Sequence, residues 1–160
     1  MTEIYVDADA CPVKEEVYRV AARYGLKVYV VSNSAIRVPD RPGIERVVVR
    51  GGLDVADDWI AERIGPADVA ITADIPLADR CLRRGARVLG PRGDAFAEGS
   101  IGDALATREL LDMLRQSGMI GGGPAPFGPK DRSRFLSALD GAIQAIRRSR
   151  KPTGSGPPPA

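Results

Sequence analysis

The sequence predicts an open, doubly wound α/β domain built on a mostly parallel five-stranded sheet. Short β-branched runs alternate with longer segments of helical periodicity along the first hundred residues. Most of these short runs are continuously apolar, as expected for strands that are buried on both faces. Right-handed crossovers between parallel strands place helices on both faces of such a sheet. We expect the strand order 3-2-1-4-5, in which the first and fourth strands are neighbours.

The predicted strands are short, and a proline-rich stretch over residues 34–45 separates the second from the third. This stretch is expected to be irregular, because proline cannot donate to a strand ladder. The five strands are Ile4–Val6, Val28–Val31, Val47–Val49, Val69–Ile71 and Arg87–Leu89.

Three helices are predicted between these strands. Each starts at a residue that favours a helix N-terminus and stops at a glycine, which favours a C-terminus. The starting residues are Pro12, Asp54 and Pro76, and the helices stop at Gly25, Gly65 and Gly85.

The C-terminal third has a different pattern. Apolar spacing predicts one helix over about 103–116 and another from Asp131 to about Arg148, separated by the glycine- and proline-rich stretch 121–129. We expect a single α/β domain over residues 1–149 and a disordered tail over 150–160, because the tail has almost nothing to bury.

Composition excludes several kinds of chemistry. The 160 residues contain no histidine, which rules out imidazole bases and His-ligated zinc. The two cysteines lack CxxC spacing, and reduced thiols are expected. The sequence shows no secretory leader and no apolar run long enough for a membrane helix. These features predict a cytoplasmic protein without a membrane partner.

Charge is distributed unevenly along the chain. Residues 1–129 carry 16 Lys/Arg and 19 Asp/Glu, whereas residues 130–151 carry 7 and 2. A basic C-terminal segment beside an acidic body indicates a polyanionic partner, although a helix with a solvated basic face would give the same pattern. Charge alone leaves both interpretations open.

Three acids follow strands that the predicted order makes neighbours. Asp7 and Asp9 come after the first strand and Asp74 after the fourth. Ligands of open parallel sheets bind beyond the carboxyl ends of strands where the strand order reverses. Converging carboxylates repel one another unless a cation bridges them, and oxygen ligands suit Mg²⁺ or Mn²⁺. The alternative is structural, since Asp74 and Asp54 also fit helix caps.

Other polar residues are weaker candidates. Ser32 and Asn33 end the second strand and would orient a phosphate or a water. Lys14 lies in a helix first turn, where an acid or a substrate phosphate would hold its ammonium. Cys11 is expected to be a packed thiol rather than a nucleophile. The C-terminal cations would contact a nucleic-acid backbone, namely Lys130, Arg132, Arg134, Arg147 and Arg148.

Three motifs closely resemble the YaiI/YqxD family of small bacterial proteins, over most of the chain to about residue 148. They are Tyr5-Val6-Asp7-Ala8-Asp9-Ala10-Cys11-Pro12-Val13-Lys14, Thr72-Ala73-Asp74-Ile75-Pro76-Leu77-Ala78, and Gly122-Gly123-Pro124 before Phe127. The family has no established activity, and its fold resembles that of PIN-like nucleases. That resemblance implies Asp7, Asp9 and Asp74 as metal ligands. It also implies one more acid from a helix, for which the candidates are Asp54, Asp57 and Asp58.

Three functions compete. The first is a metal-dependent nuclease acting on RNA phosphodiesters. The second is a phosphatase of the haloacid-dehalogenase type with Asp7 as nucleophile and Asp9 as general acid. Such phosphatases place a lysine before their last acidic motif, and this sequence has no lysine between Lys27 and Lys130. The third is a non-catalytic module that binds a metal or RNA.

Overall fold

The computed structural model describes residues 1–9, 11–52, 54–97 and 127–149. Within these residues the chain forms six strands and four helices. In chain order they are β1 (Glu3–Asp7), α1 (Lys14–Tyr24), β2 (Lys27–Ser32), β3 (Ile44–Val48), α2 (Val55–Arg63), β4 (Val69–Ile71), α3 (Ile75–Arg83), β5 (Arg87–Leu89), β6 (Ala95–Phe96) and α4 (Pro129–Ser149).

The strands of the described residues form one sheet in the order β3-β2-β1-β4-β5-β6. All neighbours from β3 to β5 pair in parallel, and β6 pairs antiparallel with β5. The predicted α/β class and the order 3-2-1-4-5 are confirmed, consistent with a PIN-like fold. The prediction of five strands was one too few, because β6 has two residues and so carries no periodic signal.

Two hydrophobic cores lie on opposite faces of the sheet. One face packs against α1 and α4, and α4 contributes a stripe at helical spacing: Phe135, Leu139, Ile143 and Ile146. The other face packs against α2 and α3 through Ile60, Leu77 and Cys81. Because each helix pair covers one face, the central strands β1, β2 and β4 are largely buried, whereas Glu45 and Arg46 of the edge strand β3 are exposed.

Helices α1 and α4 run side by side in the same direction. At their starts, Arg132 Nη1 donates to the carbonyl oxygen of Pro12 over 2.8 Å. At the end of α1, the Tyr24 hydroxyl donates to Asp140 Oδ1, in the middle of α4, over 2.6 Å. The start of α4 therefore lies at the same edge of the sheet as the carboxyl end of β1, since α1 begins there.

The β5–β6 turn fixes the start of α4. The Gly128 N–H and the Arg92 guanidinium both donate to Asp131 Oδ2, over 3.0 and 2.9 Å. These interactions hold the pKa of Asp131 below its ordinary value. Gly93 passes so close to α4 that a Cβ there would lie 2.9 Å from Cγ of Arg134.

Other sequence predictions fall outside the described residues: the helix over 103–116, the loop over 121–126 and the tail over 150–160. The single-domain limit at residue 149 stays a prediction. Among the described helices, none combines the length and the apolar character needed to span a bilayer.

Two glycine substitutions test the packing of α4. Gly93 has φ of +91°, and a Cβ there would also press on the Arg134 backbone. We expect Gly93→Ala to destabilise the protein by about 1–3 kcal/mol. Gly141, inside α4, has open space around it, and Gly141→Ala should stabilise by about 0.5–1 kcal/mol. Urea denaturation measures both changes, and equal effects of the two substitutions would contradict this packing.

Candidate functional site

The acids of the site are brought together by the pairing of β1 with β4. The two strands pair in parallel with Val6 opposite Ile71. Asp7 and Thr72 are the next residues of the two strands, so both lie at the carboxyl edge of the sheet. The predicted adjacency of the first and fourth strand ends is therefore confirmed.

A crevice of about 400 Å³ opens at this edge. The described residues that line it carry no lysine or arginine, and its remaining walls include Cys11, Asn33, Thr72 and Pro91. Five aspartates line it: Asp7, Asp9, Asp54, Asp57 and Asp74. The crevice therefore concentrates negative charge in a partly enclosed space.

Asp7 is held by a buried hydroxyl on the neighbouring strand. The Thr72 hydroxyl donates to Asp7 Oδ2 over 2.7 Å and accepts from the Asp74 N–H over 3.0 Å. Because that N–H points at the hydroxyl oxygen, the hydroxyl proton is directed to Asp7. Burial raises the pKa of Asp7, the Thr72 hydrogen bond opposes this rise, and the charges of Asp74 and Asp9 add to it.

Asp9 is tied to the end of β2. The buried Ser32 hydroxyl donates to Asp9 Oδ1 over 2.8 Å, and the Asn33 N–H donates to Asp9 Oδ2 over 3.0 Å. Both oxygens of this carboxylate already accept a hydrogen bond from the turn after β2. Asp9 therefore joins the ends of β1 and β2 in addition to lining the crevice.

The acids that follow β4 and precede α2 differ in their structural roles. Asp74 caps α3, because its Oδ1 accepts from the Leu77 N–H over 3.0 Å. It lines the crevice as well, so capping and a place in the site are compatible. Asp54 precedes α2, but its side chain makes no capping hydrogen bond. Asp54 therefore holds the predicted N-cap position of α2 without capping it through the side chain, which lines the crevice instead.

On α2, Asp57 faces the crevice and Asp58 does not line it. Burial raises the pKa of Asp57 to about 6, and the charges of Asp74, Asp7 and Asp54 contribute to the rise. Asp58 Oδ1 instead accepts from Arg80 Nη1 over 2.7 Å on the outer side of the helices. Of the two α2 acids that the sequence proposed, the structure brings Asp57 to the other acids and leaves Asp58 outside.

Cys11 and Lys14 lie at the rim beside α1. Burial raises the pKa of the Cys11 thiol, in keeping with a packed side chain. The Lys14 ammonium donates to the carbonyl oxygen of Cys11 over 2.8 Å. This contact, rather than a carboxylate, holds the ammonium near the mouth of the crevice.

The basic residues of α4 divide into two groups. Lys130, Arg132 and Arg134 lie in its first turns, and Arg132 contacts Pro12, which follows the crevice residue Cys11. Arg147 lies in the last turns, and its guanidinium is 5.1 Å from the centre of the Tyr24 ring. Only the first group is near the crevice, and none of the five predicted cations lines it.

The donor set suits a hard dication, although it is not a closed coordination shell. Among the described residues, no group of three or more His, Cys, Asp or Glu side chains could hold a metal ion as they stand. Mg²⁺ keeps several waters, however, and typically needs only one or two protein carboxylates together with substrate phosphates. The oxygens of Asp7 and its neighbours meet this smaller requirement.

Sequence reasoning missed Thr72. Its hydroxyl touches both acid-bearing segments, but a threonine at the end of a buried strand is common enough to pass unnoticed. The available signal was its position two residues before Asp74, where a hydroxyl can accept from the backbone of a turn.

Comparison with known proteins gives one family. The model of the family described as "Uncharacterized BCR, YaiI/YqxD family" matches residues 5–145. A UPF0178 protein of Rhodopseudomonas palustris strain BisB18 is 60% identical over 150 residues, covering 94% of this chain and 97% of the relative. A UPF0178 protein of Caulobacter sp. strain K31 is 62% identical over 148 residues, covering 92% and 98%. No solved structure matches this chain.

Charge repulsion in the crevice should lower the stability at neutral pH. Since the folded pKa of Asp57 is raised to about 6 from 3.8, ionising it costs folding free energy that is absent below the unfolded pKa and present above pH 6. Asp57→Asn should therefore stabilise the protein at pH 8 by about 1 kcal/mol, a figure discounted for solvent screening. Thermal melts in EDTA from pH 4 to 8 should show the gain shrinking as the pH falls.

Asp58→Asn is the matched control for this experiment. It changes the same charge one residue away but removes an ion pair with Arg80. It should give no gain in stability at pH 8. A gain equal to that of Asp57→Asn would mean that overall charge, and not the crevice, sets the effect.

The Thr72 hydroxyl should be needed for stability. Thr72→Val keeps the side-chain shape but leaves the Asp74 N–H and Asp7 Oδ2 without their hydroxyl partner, at a cost of about 1–3 kcal/mol. It should also raise the pKa of Asp7 further, because a hydrogen bond that lowers it is removed. Chemical denaturation and carboxyl NMR titration measure these changes. Thr72→Ser keeps a hydroxyl, so it should retain most of the stability and most of the lowering of the Asp7 pKa. A Ser variant as unstable as the Val variant would contradict this role.

Proposed function

The chain belongs to the YaiI/YqxD family, and we propose that its acidic crevice is the active site of a divalent-metal-dependent nuclease acting on RNA phosphodiesters. The observation that carries this proposal is the convergence of five aspartates on one crevice whose described lining residues include no cation. Such a cluster is electrostatically unfavourable alone and becomes favourable with a dication between the acids and a phosphate. The likeness of the fold to PIN-like nucleases supports the same chemistry.

Asp7, Asp57 and Asp74 are the residues that would hold Mg²⁺ or Mn²⁺. They come from three different segments and face one space, where burial raises the pKa of Asp57 and the charges of the other acids add to the rise. Asp9 would contribute through lone pairs that the β2 turn leaves free. A bound dication supplies an activated water and neutralises charge that develops on the phosphoryl oxygens.

The rim residues would place the substrate. Lys14 presents its ammonium beside Cys11, within reach of a phosphate that sits over the crevice. The Ser32 hydroxyl and the Asn33 backbone N–H already donate hydrogen bonds to Asp9. This leaves the Asn33 side chain, on the crevice wall, to contact a sugar or a phosphate. Lys130, Arg132 and Arg134 would bind the backbone beyond the cleaved bond.

The phosphatase alternative is less well supported by the geometry. A general acid at Asp9 would have to turn an oxygen toward the leaving group, whereas both of its oxygens already accept hydrogen bonds from the turn after β2. The nuclease assignment needs only carboxylate oxygens that line the crevice.

The proposal is tested with a labelled single-stranded RNA, the matching DNA and a phosphate monoester, each incubated with Mn²⁺ and the full-length protein. We expect cleavage of RNA that requires the ion and falls by at least about 100-fold in Asp7→Asn, since an ion ligand is lost. Asp58→Asn, which removes an acid outside the crevice, should cleave as the wild type does.

Each other outcome overturns a defined part of the proposal. Monoester turnover without RNA cleavage would identify a phosphatase. RNA or Mn²⁺ binding with neither reaction would leave a non-catalytic module. Cleavage that survives Asp7→Asn would show that the activity resides elsewhere or in a contaminant.

A further inference from the structure

The parallel arrangement of α1 and α4 creates a line of arginines that begins beside the crevice. Glu16 and Arg23 of α1 both contact α4, through Arg132 and Asp140 respectively. Arg19 lies between them at spacings of three and four residues, so it shares their side of the helix and is exposed. We define this strip between the two helices, from Arg132 to Arg147, as the α1–α4 seam.

The acids of the seam are already bound, and the cations of its far end are not. Glu16 accepts from Arg132, and Asp140 accepts from Arg23, Tyr24 and Gln144. Among the described residues, neither Arg147 nor Arg148 forms an ion pair with an acid. Both are exposed, so their guanidinium groups can bind an external anion without first leaving a protein carboxylate.

The far end of the seam opens into a groove of about 510 Å³. Described residues that line it are Tyr24, Gln144, Arg147 and Arg148. Arg147 is held 5.1 Å from the centre of the Tyr24 ring. This contact limits the freedom of the side chain, so less conformational entropy is lost when the guanidinium binds.

We propose that the α1–α4 seam is a track for the phosphate backbone of a single-stranded RNA that leaves the crevice beside Arg132 and reaches the groove at Arg147 and Arg148. This inference rests on the proposed function for the class of substrate, and it adds the path of the strand. A polynucleotide fits better than an anionic membrane, because the cations follow a line between two helices and not a plane.

The length of the seam sets the length of RNA that it recognises. Fifteen helical residues separate Arg132 from Arg147, which is about 22 Å at 1.5 Å per residue. A stacked strand advances about 3.4 Å per nucleotide, so about six nucleotides span the seam. RNA of about four nucleotides held at the crevice cannot reach Arg147, whereas RNA of about twelve nucleotides can.

The experiment measures binding of these two RNA lengths to the full-length protein in Ca²⁺, a dication that carboxylates also bind, so that the crevice does not repel the RNA. Gel electrophoresis confirms that the RNA stays intact. The double variant Arg147→Gln/Arg148→Gln should weaken binding of the longer RNA about tenfold at low salt and leave the shorter RNA unchanged. The slope of log affinity against log salt for the longer RNA should fall by about 1.4, since each lost phosphate contact contributes about 0.7. Arg132→Gln should weaken binding of both lengths.

The matched control is Arg63→Gln/Arg83→Gln, which removes the same charge from α2 and α3 on the other face of the sheet. It should change the affinity for either RNA less than about twofold. Thermal melts confirm that each variant is folded.

Failure of the track and failure of the nuclease assignment are distinguishable. The track would be overturned if Arg147→Gln/Arg148→Gln weakened binding of both RNA lengths equally, or if the control pair weakened binding as much. It would also be overturned if the wild-type protein did not bind the longer RNA. If the double variant Arg147→Gln/Arg148→Gln loses binding to vesicles of anionic lipid but binds RNA as the wild type does, the seam is a membrane-binding surface. That result would also overturn the RNA track. RNA binding with the predicted length dependence but no cleavage with Mn²⁺ would leave the track standing and overturn only the nuclease assignment.

Discussion

The mutual repulsion of aspartates at the carboxyl edge of the sheet is the constraint on which the rest of the structure depends. Parallel pairing of β1 with β4 puts Asp7 next to the segment that carries Asp74, and α2 adds Asp54 and Asp57. Burial raises the pKa of Asp7 and of Asp57, and the charges of the neighbouring aspartates add to both rises. A fold that keeps such a cluster must compensate for it elsewhere, here through two buried cores.

Two buried hydroxyls organise the cluster from either side of β1. Ser32 at the end of β2 binds Asp9, and Thr72 just after β4 binds Asp7. Each hydroxyl also accepts a backbone N–H from the segment that follows it. The loops and the carboxylates are therefore positioned together. The acids cannot move apart to relieve their repulsion without breaking the hydrogen bonds of Ser32 and Thr72 at the strand ends.

Opposite charges are kept apart along the molecule. The acids line the crevice at the edge of the sheet, while the arginines follow the seam between α1 and α4, whose direction is fixed by contacts at the start and in the middle of α4. The acids of that seam are paired with arginines, a tyrosine and a glutamine. A chain with a formal net charge of only +2 can thus offer a dication a negative crevice and a phosphate backbone a positive path.

The sequence by itself determined the class of fold. The convergence of Asp7, Asp9 and Asp74 followed from an expected strand order, which the pairing of β1 with β4 confirms. Continuous apolar runs indicate strands that are buried on both faces. The right-handedness of crossover connections then limits the ways in which such strands can be arranged in a parallel sheet. Only the tertiary structure decided between Asp57 and Asp58, because neighbouring residues of a helix point about 100° apart and the packing of α2 selects one. It alone placed Arg132 beside Pro12 and brought Thr72 to Asp7, since contacts between residues distant in the chain depend on how whole elements pack.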